Sequence, residues 1–214
     1  MARLAPRQRC TAAIALCLSI VTPMCPAEGD GGSSHRAIII AHRGASGYLP
    51  EHTLEAYAMA HAQRADFIEP DVCATRDGIL VCAHDLTLER TTDVAERFPG
   101  RAREDGSFYV IDFTLAELKT LSKHGGVREG ETPASGFQIA TLDEMLALVD
   151  RLNRRTGREV GVIPEMKSPS WHMEHGFDLV RALHASLTLH GFTERGDSAI
   201  VQCFELDALR SLRM

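Results

Sequence analysis

Two carboxylates two positions apart, Glu69 and Asp71, sit inside an apolar stretch that reads as a strand, and a third, Glu165, closes another such stretch. Residues i and i+2 of a strand project from one face, so the first two point the same way. Facing carboxylates among hydrophobic neighbours repel one another unless a positive charge lies between them, and a divalent cation is the economical answer. An all-oxygen set suits a hard ion, calcium or magnesium, rather than zinc. The same residues admit a plainer reading, as solvated strand-end carboxylates or as ion-pair partners of Arg43 and Lys167. His42 and His84, each ending an aliphatic run, are of the type that moves protons near neutral pH, although a strand-end histidine is more often a hydrogen-bonded structural group. Arg43 brings a planar fork and Lys167 a point charge, and both suit an anion. Gly44 and Gly47 either let the backbone approach a ligand or simply turn the chain. These types together describe a metal-assisted site for a phosphate-like anion, without naming the substrate.

The elements that must hold these residues alternate between strand and helix. Residues 37–41 are a continuous aliphatic run of the kind buried on both faces of a parallel sheet. Thr53 caps a helix with Leu54, Ala58 and Ala62 on one face. Residues 67–73 and 79–83 read as the next strands, the second after the turn at Asp77-Gly78. Residues 86–139 are polar and irregular, with one short helix opened by a capping box at Thr114 and Glu117. A second box, Thr141 with Glu144, opens an amphipathic helix bearing Leu142, Met145, Leu146, Val149 and Leu152. Residues 160–165 and 199–203 are further strands, separated by a helix marked by Phe177, Val180, Leu183 and Leu187, and a last helix starts at Leu206. This alternation predicts an α/β fold with a parallel sheet, whose strand carboxyl ends line the ligand crevice. His42, Arg43, Glu69, Asp71, His84 and Glu165 would converge there.

Composition bounds the partners. With 44% hydrophobic and 24% charged residues over 214 positions, the chain is globular rather than disordered. Its 23 Lys+Arg against 29 Asp+Glu give a net charge of -6, which disfavours nucleic acid and leaves attraction of an anion to local cations or a metal. Arg3, Arg7 and Arg9, the short apolar run 10–21 and the small residue Ala27 predict a signal peptide over 1–27, too short in its apolar part to anchor the chain stably in a membrane. Residues 28–36 form a flexible lead-in, and periplasmic or secreted location follows. Of six cysteines, Cys73, Cys82 and Cys203 lie beyond that cut, in apolar runs that suit small buried hydrophobes.

The ordered set HRG at His42, PEHT at Pro50, E-x-D at Glu69, T-x-D-G at Thr75, HD at His84 and E-x-K at Glu165 resembles the glycerophosphodiester phosphodiesterases. The insert TTDVAERFPGRA and QCFE at Gln202 look especially like the periplasmic branch, and His52 stands where many members carry Asn. The resemblance implies a (β/α)8 TIM-barrel type of fold, with residues 37–214 as its domain, incomplete at the C-terminus and so only the N-terminal half. It implies metal at Glu69, Asp71 and Glu165, with Ca2+ before Mg2+, and His42 and His84 as the acid/base pair. It further implies Arg43 and Lys167 on the phosphate, and Glu51 behind them. The implied reaction is hydrolysis of a glycerophosphodiester to glycerol 3-phosphate and an alcohol, in glycerol and phospholipid catabolism. Two alternatives stand beside it: a non-catalytic fragment that self-associates through an open half-barrel, and a phospholipase of the C or D type.

Overall fold

The computed structural model describes residues 36–125, 136–194 and 197–212. The predicted signal peptide and most of the lead-in lie outside them. Residues 37–214 form one compact unit.

The chain enters at β1 (Ile40–His42), turns through a loop and forms α1 (Leu54–Ala62). Thr53 caps that helix, its side-chain oxygen accepting from the Ala56 N–H. The buried face is Ala56, Tyr57, Ala60 and His61, not the line through Leu54, Ala58 and Ala62 expected from sequence, and Ala62 is exposed. Tyr57, the largest apolar body on the helix, decides the rotation. Gly44 is required beneath it: its φ is +82°, and a Cβ there would stand 2.9 Å from the Ala56 carbonyl carbon.

The expected strand 67–73 is two strands, β2 (Phe67–Glu69) and β3 (Asp71–Ala74), separated at Pro70. A hairpin then returns as β4 (Leu80–Cys82), antiparallel to β3. The described residues of 86–139 pack with Cys73 and Val81 of the hairpin into a second apolar core, with Leu88, Val94, Phe113, Leu118 and Ile139 buried around α2 (Val94–Arg97), a 3-10 turn (Val110–Asp112) and α3 (Leu115–Leu118). Both capping boxes form, at α3 and at α4 (Leu142–Thr156), and α4 packs on α1. The strand expected at 160–165 is also divided, by Pro164, into β5 (Gly161–Val162) and β6 (Glu165–Met166). After α5 (Pro169–Glu174) and α6 (Leu179–Leu189), β7 (Gln202–Cys203) leads into α7 (Leu206–Ser211).

The two prolines are neighbours across the sheet and explain its two tiers. Proline has no N–H for the ladder, so each strand breaks there and resumes one step higher. Below the break the order is β1-β2-β5, and above it β4-β3-β6-β7. Hydrogen bonds bridge the step, from Glu165 N–H to Pro70 O at 2.9 Å and from Gln202 N–H to Pro164 O at 3.0 Å. All pairings except β3–β4 are parallel, as expected. Four successive strand–helix units in this order have the arrangement of a (β/α)8-type barrel.

Tyr57, Ile68, Val72, Met145, Leu146, Val162 and Leu183 form the main core between sheet and helices. Burying each such large apolar group contributes roughly 1.5–3 kcal/mol. The run 37–41 departs from expectation: Ile38, Ile39 and Ile40 are 67%, 53% and 47% exposed. β1 has a neighbour on one side only among the described residues, so this run is an edge rather than a strand buried on both faces.

Candidate active site

The break between the tiers is where the polar residues gather. Glu69 closes β2 opposite His42 of β1, and Asp71, Glu165 and Gln202 open β3, β6 and β7 in one register row. Asp71 is wholly buried, and Glu69 and Glu165 nearly so. Arg43 reaches across this row: its Nη1 donates to Glu51 Oε2 at 3.0 Å and its Nε lies 3.5 Å from Asp71 Oδ2. Lys167 approaches from the other side, with Nζ 2.7 Å from Glu165 Oε1 and 3.8 Å from Asp71 Oδ1. Gln202 donates to the second oxygen of Glu165 at 2.9 Å.

His84 arrives by a different route from the one expected. Because β4 runs antiparallel to β3, its end lies alongside the start of β3, and the Ala83 N–H bonds Asp71 O at 3.0 Å. His84 Nδ1 pairs with Asp85 Oδ1 at 2.5 Å, Asp85 Oδ2 accepts from Arg90 Nε at 2.5 Å, and Arg90 Nη2 donates to Glu51 Oε1 at 2.7 Å. Through Glu51 this chain joins His84 to Arg43. Burial works to raise the Glu51 pKa, but the Arg90 hydrogen bond and the positive charges of Lys123 and Arg90 outweigh it and hold the carboxyl down at about 2. Burial also works against ionised Asp85, and the bonds from Arg90 and His84 again prevail, so its pKa is lowered. His42 is exposed at the rim, its Nε2 accepting from Arg43 Nε at 3.3 Å.

Backbone strain concentrates at the same place. Of the four non-glycine residues with positive φ among the described residues, Arg43 (62°), His52 (59°) and Ser168 (46°) adjoin the site, the fourth being Arg64. Such conformations cost on the order of 1–3 kcal/mol each and persist where the surroundings over-determine them. The loop from Arg43 to His52 is closed by the His52 N–H to Arg43 O bond at 3.1 Å.

Sequence reasoning left several residues of this network unassigned. Asp85 was visible as the neighbour of His84, and Gln202 as part of QCFE, but their roles follow from pairing and register. Arg90, Tyr57 and Lys123 carried no signal in a single sequence. Lys123, in a stretch that reads as solvent-facing, is buried; burial pulls its ammonium down to about 8, against the opposing field of Glu51. Cys73 and Cys82 are buried free thiols and Cys203 is a partly buried one.

The implied metal can be tested against this donor set. Among the described residues no three His, Cys, Asp or Glu side chains are gathered as a ready cage, and Lys167 supplies positive charge beside Asp71 and Glu165. The donors nevertheless suit a hard ion. All are carboxylate oxygens, Asp71 Oδ1 is buried with no hydrogen-bond partner, and Glu69 makes no side-chain hydrogen bond or ion pair among the described residues. The residues fit the group.

Fold and site thus define a parallel α/β barrel-type protein with a centre at its strand ends lined by carboxylates and by the Arg43 and Lys167 cations. The chain belongs to the Glycerophosphoryl diester phosphodiesterase family, whose model matches residues 42–214. It is similar to the glycerophosphodiester phosphodiesterase of Haemophilus influenzae, 41% identical over 188 residues, covering 82% of this chain and 52% of the relative. The Treponema pallidum enzyme of the same name is 36% identical over 194 residues, covering 85% and 54%. The chain therefore spans about half the length of these relatives. Among solved structures, an Oleispira antarctica phosphodiesterase in complex with the product sn-glycerol-3-phosphate matches with TM-score 0.60 and 27% identity, over 82% of this chain and 60% of that one. A Silicibacter pomeroyi structure matches the fold at TM-score 0.67 and 24% identity, over 84% and 62%.

Proposed function

We propose that the chain carries the site of a metal-dependent hydrolase that converts glycerophosphodiesters to glycerol 3-phosphate and an alcohol. The observation that carries this reading is Asp71 Oδ1, a buried carboxylate oxygen without a hydrogen bond, on a side chain whose other oxygen faces Arg43 and whose own nearest cation is Lys167. The product held by the Oleispira antarctica neighbour supports the substrate class.

Glu69, Asp71 and Glu165 would hold the ion, with Ca2+ preferred to Mg2+. A hard divalent ion in that place supplies Lewis-acid polarisation of a phosphoryl group. Arg43 and Lys167, both partly buried, neutralise the phosphate, and partial removal from water strengthens that attraction. A glycerol hydroxyl of the substrate attacks phosphorus as one histidine of the His42/His84 pair takes its proton. The bond to the alcohol breaks as the other histidine protonates the departing oxygen. Water then opens the resulting cyclic phosphate with the histidine roles reversed. Keeping nucleophile and phosphorus in one molecule removes the entropy of a bimolecular encounter, worth several kcal/mol (roughly 7 or more when alignment is good).

The test is a coupled assay for glycerol 3-phosphate released from glycerophosphocholine by the 214-residue chain. Choline release from lysophosphatidylcholine, with lysophosphatidate as co-product, would transfer the reading to a phospholipase D relative. No turnover by a folded chain would leave the non-catalytic alternative.

We further propose that the chain is exported to the periplasm or medium, as in the periplasmic branch. Its basic head, the apolar run 10–21 and Ala27 support this. N-terminal sequencing of exported protein should begin near Glu28; a soluble cytoplasmic pool retaining Met1 would refute it.

A further inference from the structure

Behind the carboxylate row lies a buried polar chain that the reaction does not itself use. His52 has no exposed surface and Tyr57 none either. Tyr57 Oη stands 2.8 Å from His52 Nδ1, and His52 Nε2 stands 2.9 Å from Asp71 Oδ2. The ionised carboxylate only accepts, so Nε2 carries the proton. Nδ1 is then an acceptor, and the Tyr57 hydroxyl donates to it. With the imidazole neutral, the bonds run from Tyr57, whose hydroxyl also meets the Cys82 thiol, through His52 to Asp71.

The consequence falls on Asp71. His52 bonds Oδ2, and Arg43 Nε approaches the same oxygen at 3.5 Å. Oδ1 has only Lys167 nearby, at 3.8 Å, beyond hydrogen-bond range. With the His52 hydrogen bond and the nearer Arg43 charge both on Oδ2, the carboxylate is held by that oxygen and Oδ1 is the one presented to the site. The αL backbone of His52, at φ 59°, is the strain accepted to bring the imidazole there.

We infer that His52 and Tyr57 are positioning residues: Tyr57 selects the His52 tautomer, and His52 pins Asp71 Oδ2 so that Oδ1 is free to ligate a divalent cation. This rests on the metal reading given under Proposed function. Partners of this kind, hydrogen-bonded to a ligating group, typically change metal affinity by about 10–100-fold when removed.

The test is calorimetric titration of calcium into the whole chain and three variants, each checked for folding by thermal unfolding. His52→Leu removes the donor and should weaken calcium binding by about 10–100-fold. Tyr57→Phe keeps the ring and the core but frees the tautomer, and should weaken binding by about 10-fold, at the lower end of that range. His52→Gln places an amide N–H where Nε2 stands and should bind within about threefold of the parent, since the donor is retained. A purely packing role predicts a different pattern, in which unfolding temperatures shift while the Kd of each folded variant equals that of the parent. That result overturns the inference and leaves the metal reading intact. Binding by His52→Gln as weak as by His52→Leu also overturns it, because a donor would then not be what matters. Failure of the parent itself to bind calcium or magnesium overturns the metal reading and the inference with it.

Discussion

Asp71→Asn is expected to lower the turnover of glycerophosphocholine by roughly 10³-fold or more, the equivalent of several kcal/mol of lost transition-state stabilisation. The geometry makes this near-isosteric change severe. His52 donates to Oδ2 and would claim the amide oxygen of the new side chain. The amide NH2 would then occupy the Oδ1 position, 3.8 Å from the Lys167 ammonium, so that two donors face each other where an accepting oxygen stood. A full negative charge is lost from the ligand row at the same time. Turnover and calcium affinity should fall together, with the far-ultraviolet circular dichroism of the parent retained. A folded Asp71→Asn chain within tenfold of parental turnover would return the buried carboxylates to a structural role.

His84→Gln is the second large effect, an expected loss of about 10²–10⁴ in kcat, the range for a missing general acid or base. Asp85 and Arg90 hold the Nδ1 side of the ring in a bonded chain, so Nε2 is the nitrogen without a protein partner among the described residues. A proton moves to or from substrate only at a nitrogen not already committed. The pH–rate profile should therefore lose the limb that His84 contributes. Asp85→Asn, which cannot hold the Nδ1–H as a charged acceptor, should reduce kcat less and distort that limb. If His84→Gln keeps the parental bell-shaped profile, His84 is not in proton transfer.

These residues also show what a single sequence discloses. The carboxylates and cations were legible because their types are conspicuous next to aliphatic runs; the period of two that would set Glu69 and Asp71 on one face assumed a single strand, and the chain breaks between them at Pro70. Parallel α/β architecture was legible from alternation, and the two capping boxes from Thr114/Glu117 and Thr141/Glu144. The division of two strands was not, although Pro70 and Pro164 are its physical cause: either proline alone reads as an edge or an irregularity. Only their alignment across the sheet makes a tier, and alignment is a tertiary fact. The antiparallel return of β4, which brings His84 beside Asp71, is equally invisible from local pattern. The rotation of α1 was misread because Leu54, Ala58 and Ala62 are apolar, whereas the bulk of Tyr57 and its bond to His52 draw the neighbouring face inward. Lys123 shows the opposite failure, a charged residue in a polar segment that folding nonetheless buries within the field of Glu51.

The central claim is that the Glu69, Asp71 and Glu165 row holds a divalent ion needed to cleave a glycerophosphodiester. Phosphorus NMR of glycerophosphocholine incubated with the 214-residue chain tests it most directly, with calcium present, after chelation, and after calcium is restored. The account predicts conversion of the diester signal to that of glycerol 3-phosphate with calcium, arrest on chelation and recovery on restoration, with Glu69→Gln inactive throughout. Conversion that continues at an equal rate after chelation, or in Glu69→Gln, would contradict it.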